Sequence, residues 1–201
     1  MIRPSIDQGV GRLISFVAFS FVMLLTGCAE LPMSTPKPTI ENAARLRSGT
    51  PALAAMDVGE FRLDASQPAS VDRGISIRSN MVRSPVRNSF AQYLRETLKV
   101  ELQSAGLLNP SSDTVVTGSL LTSSVEAPVG IGRATLSARF VVTRAATVQY
   151  ERVLSENAQW DSPFMGVSAI PQAAGQYESL YRRLIGLLLD DPAFRAAVSI
   201  P

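Results

Sequence analysis

The order of apolar patterns along the chain predicts an α+β fold of order β-β-α-β-β-β-α, a mainly antiparallel sheet with two helices on one face. Three observations carry that prediction. Apolar residues recur at helical spacing over 86–102 and again over 177–188. Between those stretches lie three runs rich in alternating apolar and polar residues, separated by turns short enough for hairpins. The third is composition: 201 residues, 46% hydrophobic and 18% charged, suit one packed domain better than a disordered chain.

Taken in order, residues 58–63 set Val58, Phe61 and Leu63 toward a core, and 74–79 place Ile75 and Ile77 on one face, so both read as short strands. Ser84 and Pro85 match a helix N-cap with proline at the first helical position. Val86, Phe90, Leu94, Leu98 and Leu102 then recur every four residues until Gly106, the expected C-terminal cap, with Leu107 and Leu108 folding back on the last turn. After a turn cluster at 109–113, residues 114–126 are dense in Val, Thr and Ser. Ala134, Leu136, Ala138, Phe140 and Val142 alternate with Thr135, Ser137, Arg139 and Thr143; Arg144, Ala145 and Ala146 turn the chain, and 147–159 returns as a third meander strand. A last helix over 171–189 puts Tyr177, Leu180, Tyr181, Leu184, Leu187 and Leu188 on one stripe. Asp191 and Pro192 then cap a final short turn, closing a single domain over 57–201.

The first 28 residues carry a different signal. Arg3 and Arg12 bracket a positive segment, and 13–25 is uncharged and almost wholly apolar. As a helix that stretch spans about 20 Å, short of a bilayer's roughly 30 Å core, so it reads as a secretory signal over 1–27 rather than a permanent span. Leu25, Thr26, Gly27 and Cys28 resemble the lipobox of bacterial lipoproteins. The resemblance implies cleavage between Gly27 and Cys28, and acylation of Cys28 by chains such as palmitate. An ordinary signal peptide that happens to hold a cysteine is the alternative, but it gives no reason for a single unpairable thiol in an exported chain. One acyl chain anchors only marginally, so the several chains implied would hold the protein on a membrane. Ala29, where aspartate resembles an inner-membrane retention signal, points to the outer membrane with the domain facing the periplasm. Residues 28–56, interrupted by Pro32, Pro36, Pro38 and Pro51, read as the acylated cysteine followed by a flexible tether, with a turn or two of helix over 39–47 capped by Thr39.

Signal, lipobox, tether and an α+β domain of this size together resemble the small envelope lipoproteins of Gram-negative bacteria: the YajG-like lipoproteins, the LPS-assembly lipoprotein and the auxiliary lipoproteins of ABC-type lipid transport. Only residues 25–28 form a specific motif within that likeness. It implies a non-enzymatic accessory role in outer-membrane assembly or lipid transport, with an envelope protein as partner.

The residues themselves limit the chemistry. With no histidine, Ser/His and Cys/His dyads and His-ligated metals are excluded, and with Cys28 alone so are disulfides within the chain and cysteine-rich zinc sites. No cofactor or metal is expected. Loss of residues 1–27 would leave 17 basic and 16 acidic side chains, a balance that argues against nucleic acid. For a histidine-free hydrolase the available groups are Lys37, Lys99 and the pair Asp190 and Asp191, and Asp191 is better explained as a cap. Gly130, Ile131 and Gly132 are too short for a dinucleotide fingerprint and read as a hairpin turn.

Arg73, Arg78, Arg83 and Arg87 lie in 73–95, a stretch without an acidic residue, where they could meet a lipid phosphate or an acidic partner or simply form wet surface. Trp160, expected on a loop after the last strand, either meets a partner or closes the core with Phe164. If both helices share one sheet face, the other face, with Thr135, Ser137, Arg139 and Thr143, is left for an envelope protein or a second copy of the chain, with anionic lipid as the alternative ligand. An open edge strand could extend a partner's sheet.

Overall fold

The computed structural model describes residues 30–48 and 50–200. The signal segment, Gly27 and Cys28 lie outside the described residues. Along the chain run β1 (Glu30–Pro32), α1 (Ile40–Ser48), β2 (Asp57–Leu63), a 3-10 turn (Ala69–Asp72), β3 (Ile75–Ile77) and β4 (Asn80–Arg83). Then come α2 (Phe90–Ser104), β5 (Thr114–Glu126), β6 (Gly130–Arg144), β7 (Thr147–Ser162), α3 (Gly166–Asp190) and α4 (Pro192–Ala197). Four strands form the main sheet in the order β2-β5-β6-β7, and β1-β4-β3 form a smaller one. The class is α+β, as the sequence predicts.

Both sheets are mixed. β5, β6 and β7 make the antiparallel meander, but β2 runs parallel to β5, and β1 parallel to β4. A parallel partner needs a crossover, and the segment holding β3, β4 and α2 supplies it. Side-chain alternation specifies which face is buried and is silent on strand direction, so the β2 pairing was not legible. The second predicted strand is likewise only half of a hairpin: β4, which pairs with β3 antiparallel, was missed.

Bulges account for the two strands whose alternation is broken. In β2 the register with β5 shifts between Val58 and Phe61, so residues three apart both enter the core. In β5 the shift between Leu120 and Thr122 moves the core side from Val116, Gly118 and Leu120 to Ser123 and Val125. Gly118 belongs to this arrangement. A Cβ there would sit 2.5 Å from the Phe61 ring, which lies across the strand and meets Phe140 edge-on at 6.1 Å.

The two long helices cover the same sheet face, α2 over β2 and β5, α3 over β6 and β7. Leu94, Leu98 and Leu102 from α2 and Tyr177, Leu180, Tyr181, Leu184 and Leu188 from α3 are fully buried against Val116, Leu120, Leu136, Phe140 and Val142. Leu187, expected on the same stripe, is exposed. α2 starts at Phe90, not after Ser84. Ser84 Oγ instead accepts the Val86 N–H, and Arg87 and Asn88 take left-handed φ values of 51° and 53°, which no helix continues through. The cap is Ser89, whose hydroxyl accepts from Gln92 N at 3.1 Å. Asp72 adds its carboxylate to Ala91 N at 2.8 Å, satisfying a further free N–H and the positive helix end. α3 starts at Gly166, five residues before the predicted start, with Pro171 in its second turn and Ala169, Ala173 and Ala174 extending the buried stripe.

The segment expected to be a tether is folded onto the domain from Glu30. α1 forms where predicted, with Thr39 Oγ1 accepting from Asn42 N, but it packs on α2 and α3 through Asn42 and Leu46. Among the described residues no helix is long and apolar enough to cross a membrane.

Candidate functional site

The main sheet has two edges, and side chains treat them differently. On β2, Arg95 of α2 donates to the carbonyls of Gly59 (2.6 Å) and Val58 (2.8 Å), and Gln92 donates to Phe61 O at 2.6 Å. That edge is sealed. Among the described residues β7, 16 residues long, is bonded as a strand to β6 alone, and the side chains reaching its backbone carbonyls are Arg183, at 3.5 Å from Asn157 O, and its own Gln149, at 3.4 Å from Thr147 O. The sheet face away from the helices carries Thr135, Arg139, Val141 and Thr143, all half-buried, Val153, exposed, and Ser137, buried between its neighbours. No element covers it among the described residues, and Arg139 is 3.5 Å from Glu151 across it.

The four arginines part company. Arg78 stands in the β3–β4 turn with φ 53°, and its guanidinium donates to the carbonyls of Ala127, Phe164 and Pro163 at 2.7, 2.9 and 2.6 Å. Arg83 pairs with Glu30 at 2.8 Å and reaches the Arg73 carbonyl. Both are committed to holding the fold. Arg73 and Arg87 are exposed.

Trp160 lies inside β7 rather than on a loop, directly opposite Gly132. Its indole covers Gly132 so closely that a Cβ there would sit 2.3 Å from a ring atom, and only 8% of the residue is exposed. The Nε1–H has no hydrogen-bond partner. Phe164, expected to close the core beside it, points to solvent at 80% exposure. Gly132→Val is therefore expected to lift the indole off β6, cost about 1–3 kcal/mol and red-shift the fluorescence of the only tryptophan. Unchanged emission would mean the indole is not seated there.

Sequence reasoning found the Asp191 cap but missed the other bonds made by the buried polar groups. Glu101, fully buried on α2, accepts from Thr39 N (3.0 and 3.1 Å to its two oxygens), Thr39 Oγ1 and Asn42 Nδ2 (both 3.0 Å). Asp191 caps α4 through Ala193 N and accepts from Tyr150 OH at 2.8 Å and Arg152 at 2.9 Å. Its neighbour Asp190 pairs with Arg45 at 2.8 Å. Ser123, Tyr177 and Tyr181 join hydroxyls in a buried chain beside Tyr93. Burial pushes all four tyrosine phenols up. For Tyr150 the Asp191 carboxylate adds to the effect, and for Tyr93 the Glu178 carboxylate does. A groove of about 300 Å³ between α1, α3 and the β7 edge is lined by ion-paired side chains, Arg45 with Asp190 and Arg183 with Glu156. Among the described residues no three metal-ligating side chains gather.

A mixed four-stranded sheet with two helices on one face and a small three-stranded sheet at its side defines the class of domain. No family model and no curated protein matches the chain. Among solved structures it is similar to a Xanthomonas campestris protein of the family DUF330, at 9% identity and TM-score 0.54 over 80% of this chain and 95% of that one. It also resembles, at 12% identity and TM-score 0.42, a minor lipoprotein from Acinetobacter baumannii, over 70% of this chain and 93% of the other. At these identities the first likeness establishes the fold, and the second adds nothing to it.

Proposed function

We propose that this chain is an envelope lipoprotein, held on the periplasmic side of the outer membrane through acylated Cys28. There it serves as a non-enzymatic accessory or interaction module in outer-membrane assembly or lipid transport. The observation that carries the reading is the Leu25, Thr26, Gly27, Cys28 motif behind an apolar segment of signal length, two residues ahead of the first strand of the domain. Contact with an envelope protein is supported by the contrast between the sealed β2 edge and the open β7 edge, whose free backbone groups can extend a partner's sheet. A second copy of the chain is served by the same edge. Opposed at Leu154, two antiparallel β7 strands would set Arg152 against Glu156 twice. The anionic-lipid alternative rests on Arg73 and Arg87, because Arg78 and Arg83 have other partners.

For a hydrolase, Asp191 would have to give up its cap and its tyrosine and arginine bonds to act as a base, which favours the non-enzymatic reading. The anchor is tested by Cys28→Ser in the full chain. The variant is expected to leave the membrane fraction and to lose incorporation of labelled palmitate. Retention through an uncleaved N-terminus would refute the lipobox reading. The partner is tested by crosslinking in intact cells from Val153 on β7, with Arg62 on β2 as the control. Crosslinks to protein from Arg62 alone would refute the β7 edge.

A further inference from the structure

We infer that the end of the domain formed by the β5–β6 turn and the β7–α3 loop rests in the bilayer that holds the chain, an inference that relies on Cys28 being the anchor. Five large apolar side chains stand out at this end: Val129 (61% exposed), Ile131 (42%), Phe164 (80%), Met165 (62%) and Val167 (78%). Other exposed apolar residues, such as Ile40, Val148 and Ile200, are spread singly over the molecule and need no explanation. The two loops are one surface. Gly130 pairs with Ser162 in register, and the Arg78 guanidinium ties Ala127 in one loop to Pro163 and Phe164 in the other. No charged residue occurs in 127–132 or in 163–177. Trp160 lies just behind, at the level where an indole suits a membrane interface.

What places a bilayer here, rather than a protein, is where the chain enters. β1 pairs with β4 so that Glu30 lies beside Met81, three residues from Arg78, the residue that clamps the two loops. Two peptide units separate Cys28 from Glu30, so the acylated residue falls within about 8 Å of it. Acyl chains on Cys28 therefore start from the apolar end. The β6–β7 turn at Ala145 and Ala146 lies at the other end of the sheet, roughly 50 Å away along β7. An anchor with no slack beside this apolar cluster, whose Arg78 guanidinium is spent on loop carbonyls and whose exposed Asp161, opposite Ile131, would stay at headgroup level, holds the cluster against the lipid, where it adds to the anchor as an interfacial wedge.

The test uses full-length acylated protein in vesicles of phosphatidylethanolamine and phosphatidylglycerol, with Phe164→Cys and Val148→Cys variants labelled by an environment-sensitive thiol dye. Spin-labelled lipid chains should quench the dye at 164 about threefold more than the dye at 148, and aqueous iodide should do the reverse. Equal quenching at the two positions would overturn the inference. Because a bulky dye could itself seek lipid, the unlabelled protein supplies a second readout. Trp160 should be quenched by lipids brominated near the headgroup, and less in a Phe164→Asp, Met165→Asp double variant that still floats with the vesicles. Trp160 quenching that the double variant leaves unchanged would also overturn it. The anchor is scored separately: wild-type chain that takes up dye at Cys28 and fails to float refutes the anchor. Chain that floats without dye uptake while position 164 stays open to iodide refutes the insertion alone. Protection of 164 that appears only on adding an envelope extract would assign the patch to a protein and refute the bilayer.

Discussion

Above about pH 10 the domain is expected to lose roughly 3 kcal/mol of stability per pH unit from Tyr177 and Tyr181 alone, so about two units remove the whole stability of a marginal domain. Every tyrosine in the chain is buried: Tyr93, Tyr150, Tyr177 and Tyr181. Burial is the main cause of each raised phenol. A phenolate at Tyr177 or Tyr181 would be a charge in the core with only hydroxyls beside it. Below the unfolded value of 10.0 both states keep their phenolic protons, and the contribution to stability is fully present. Above it the unfolded chain releases protons that the folded chain retains, so the unfolded state binds fewer and stability falls as pH rises. Phenolate absorbance and circular dichroism, followed in one titration, should change together and cooperatively. Replacing Tyr177 and Tyr181 by phenylalanine should make the loss markedly shallower. Gradual ionisation of all four phenols near pH 10 with the dichroism intact would show that they are not sealed in the core.

Periodicity made most of this fold legible, because it reports burial directly. The α2 and α3 stripes and the Ala134 to Val142 alternation are each one face of one element, and all three are buried as read save for Val86, which falls outside α2, and Leu187, which is exposed. Information that lies between elements was not legible. The parallel direction of β2 depends on a pairing with β5, and the pairing leaves no trace in the order of side chains. The start of α2 depended on a choice between two serines. Ser84 with Pro85 is the stronger local signal, but Asp72, distant in sequence, reaches Ala91 N and favours the start at Phe90.

The site followed the same division. The arginine run could be seen as a run of one sign, but which arginines remain exposed is settled by partners far along the chain: Ala127 and Phe164 for Arg78, Glu30 for Arg83. The apolar end was hidden for a related reason. Val129 and Ile131 on one side and Phe164, Met165 and Val167 on the other look like ordinary loop residues until the β6–β7 register brings them together. A long uncharged run after a strand, such as 163–177, is the signal that was there to be weighed.

The proline-rich segment shows most plainly how a distant partner overrides local composition, and it carries the second large effect. Glu101→Ala is expected to destabilise the domain by about 3 kcal/mol or more and to free α1. Prolines at 32, 36, 38 and 51 speak for a linker, yet a set of polar contacts fastens the segment to the long helices. Ser34 N donates to Glu178 at 2.7 Å, Tyr93 OH donates to Ser34 O at 3.0 Å, and Thr39 and Asn42 donate to Glu101. Of these, only Glu101 is a fully buried carboxylate, and it stands at the N-terminal end of α1, where backbone N–H groups lack partners and negative charge is favoured. Removing it strands the Thr39 N–H and leaves the Asn42 amide only its bond to the Arg182 carbonyl, whereas Glu101→Gln keeps one acceptor oxygen and should cost less. Amide exchange should rise over 39–48 in Glu101→Ala well before it rises in β5 or β6; uniform acceleration across the sheet, or none in α1, would refute the docking role.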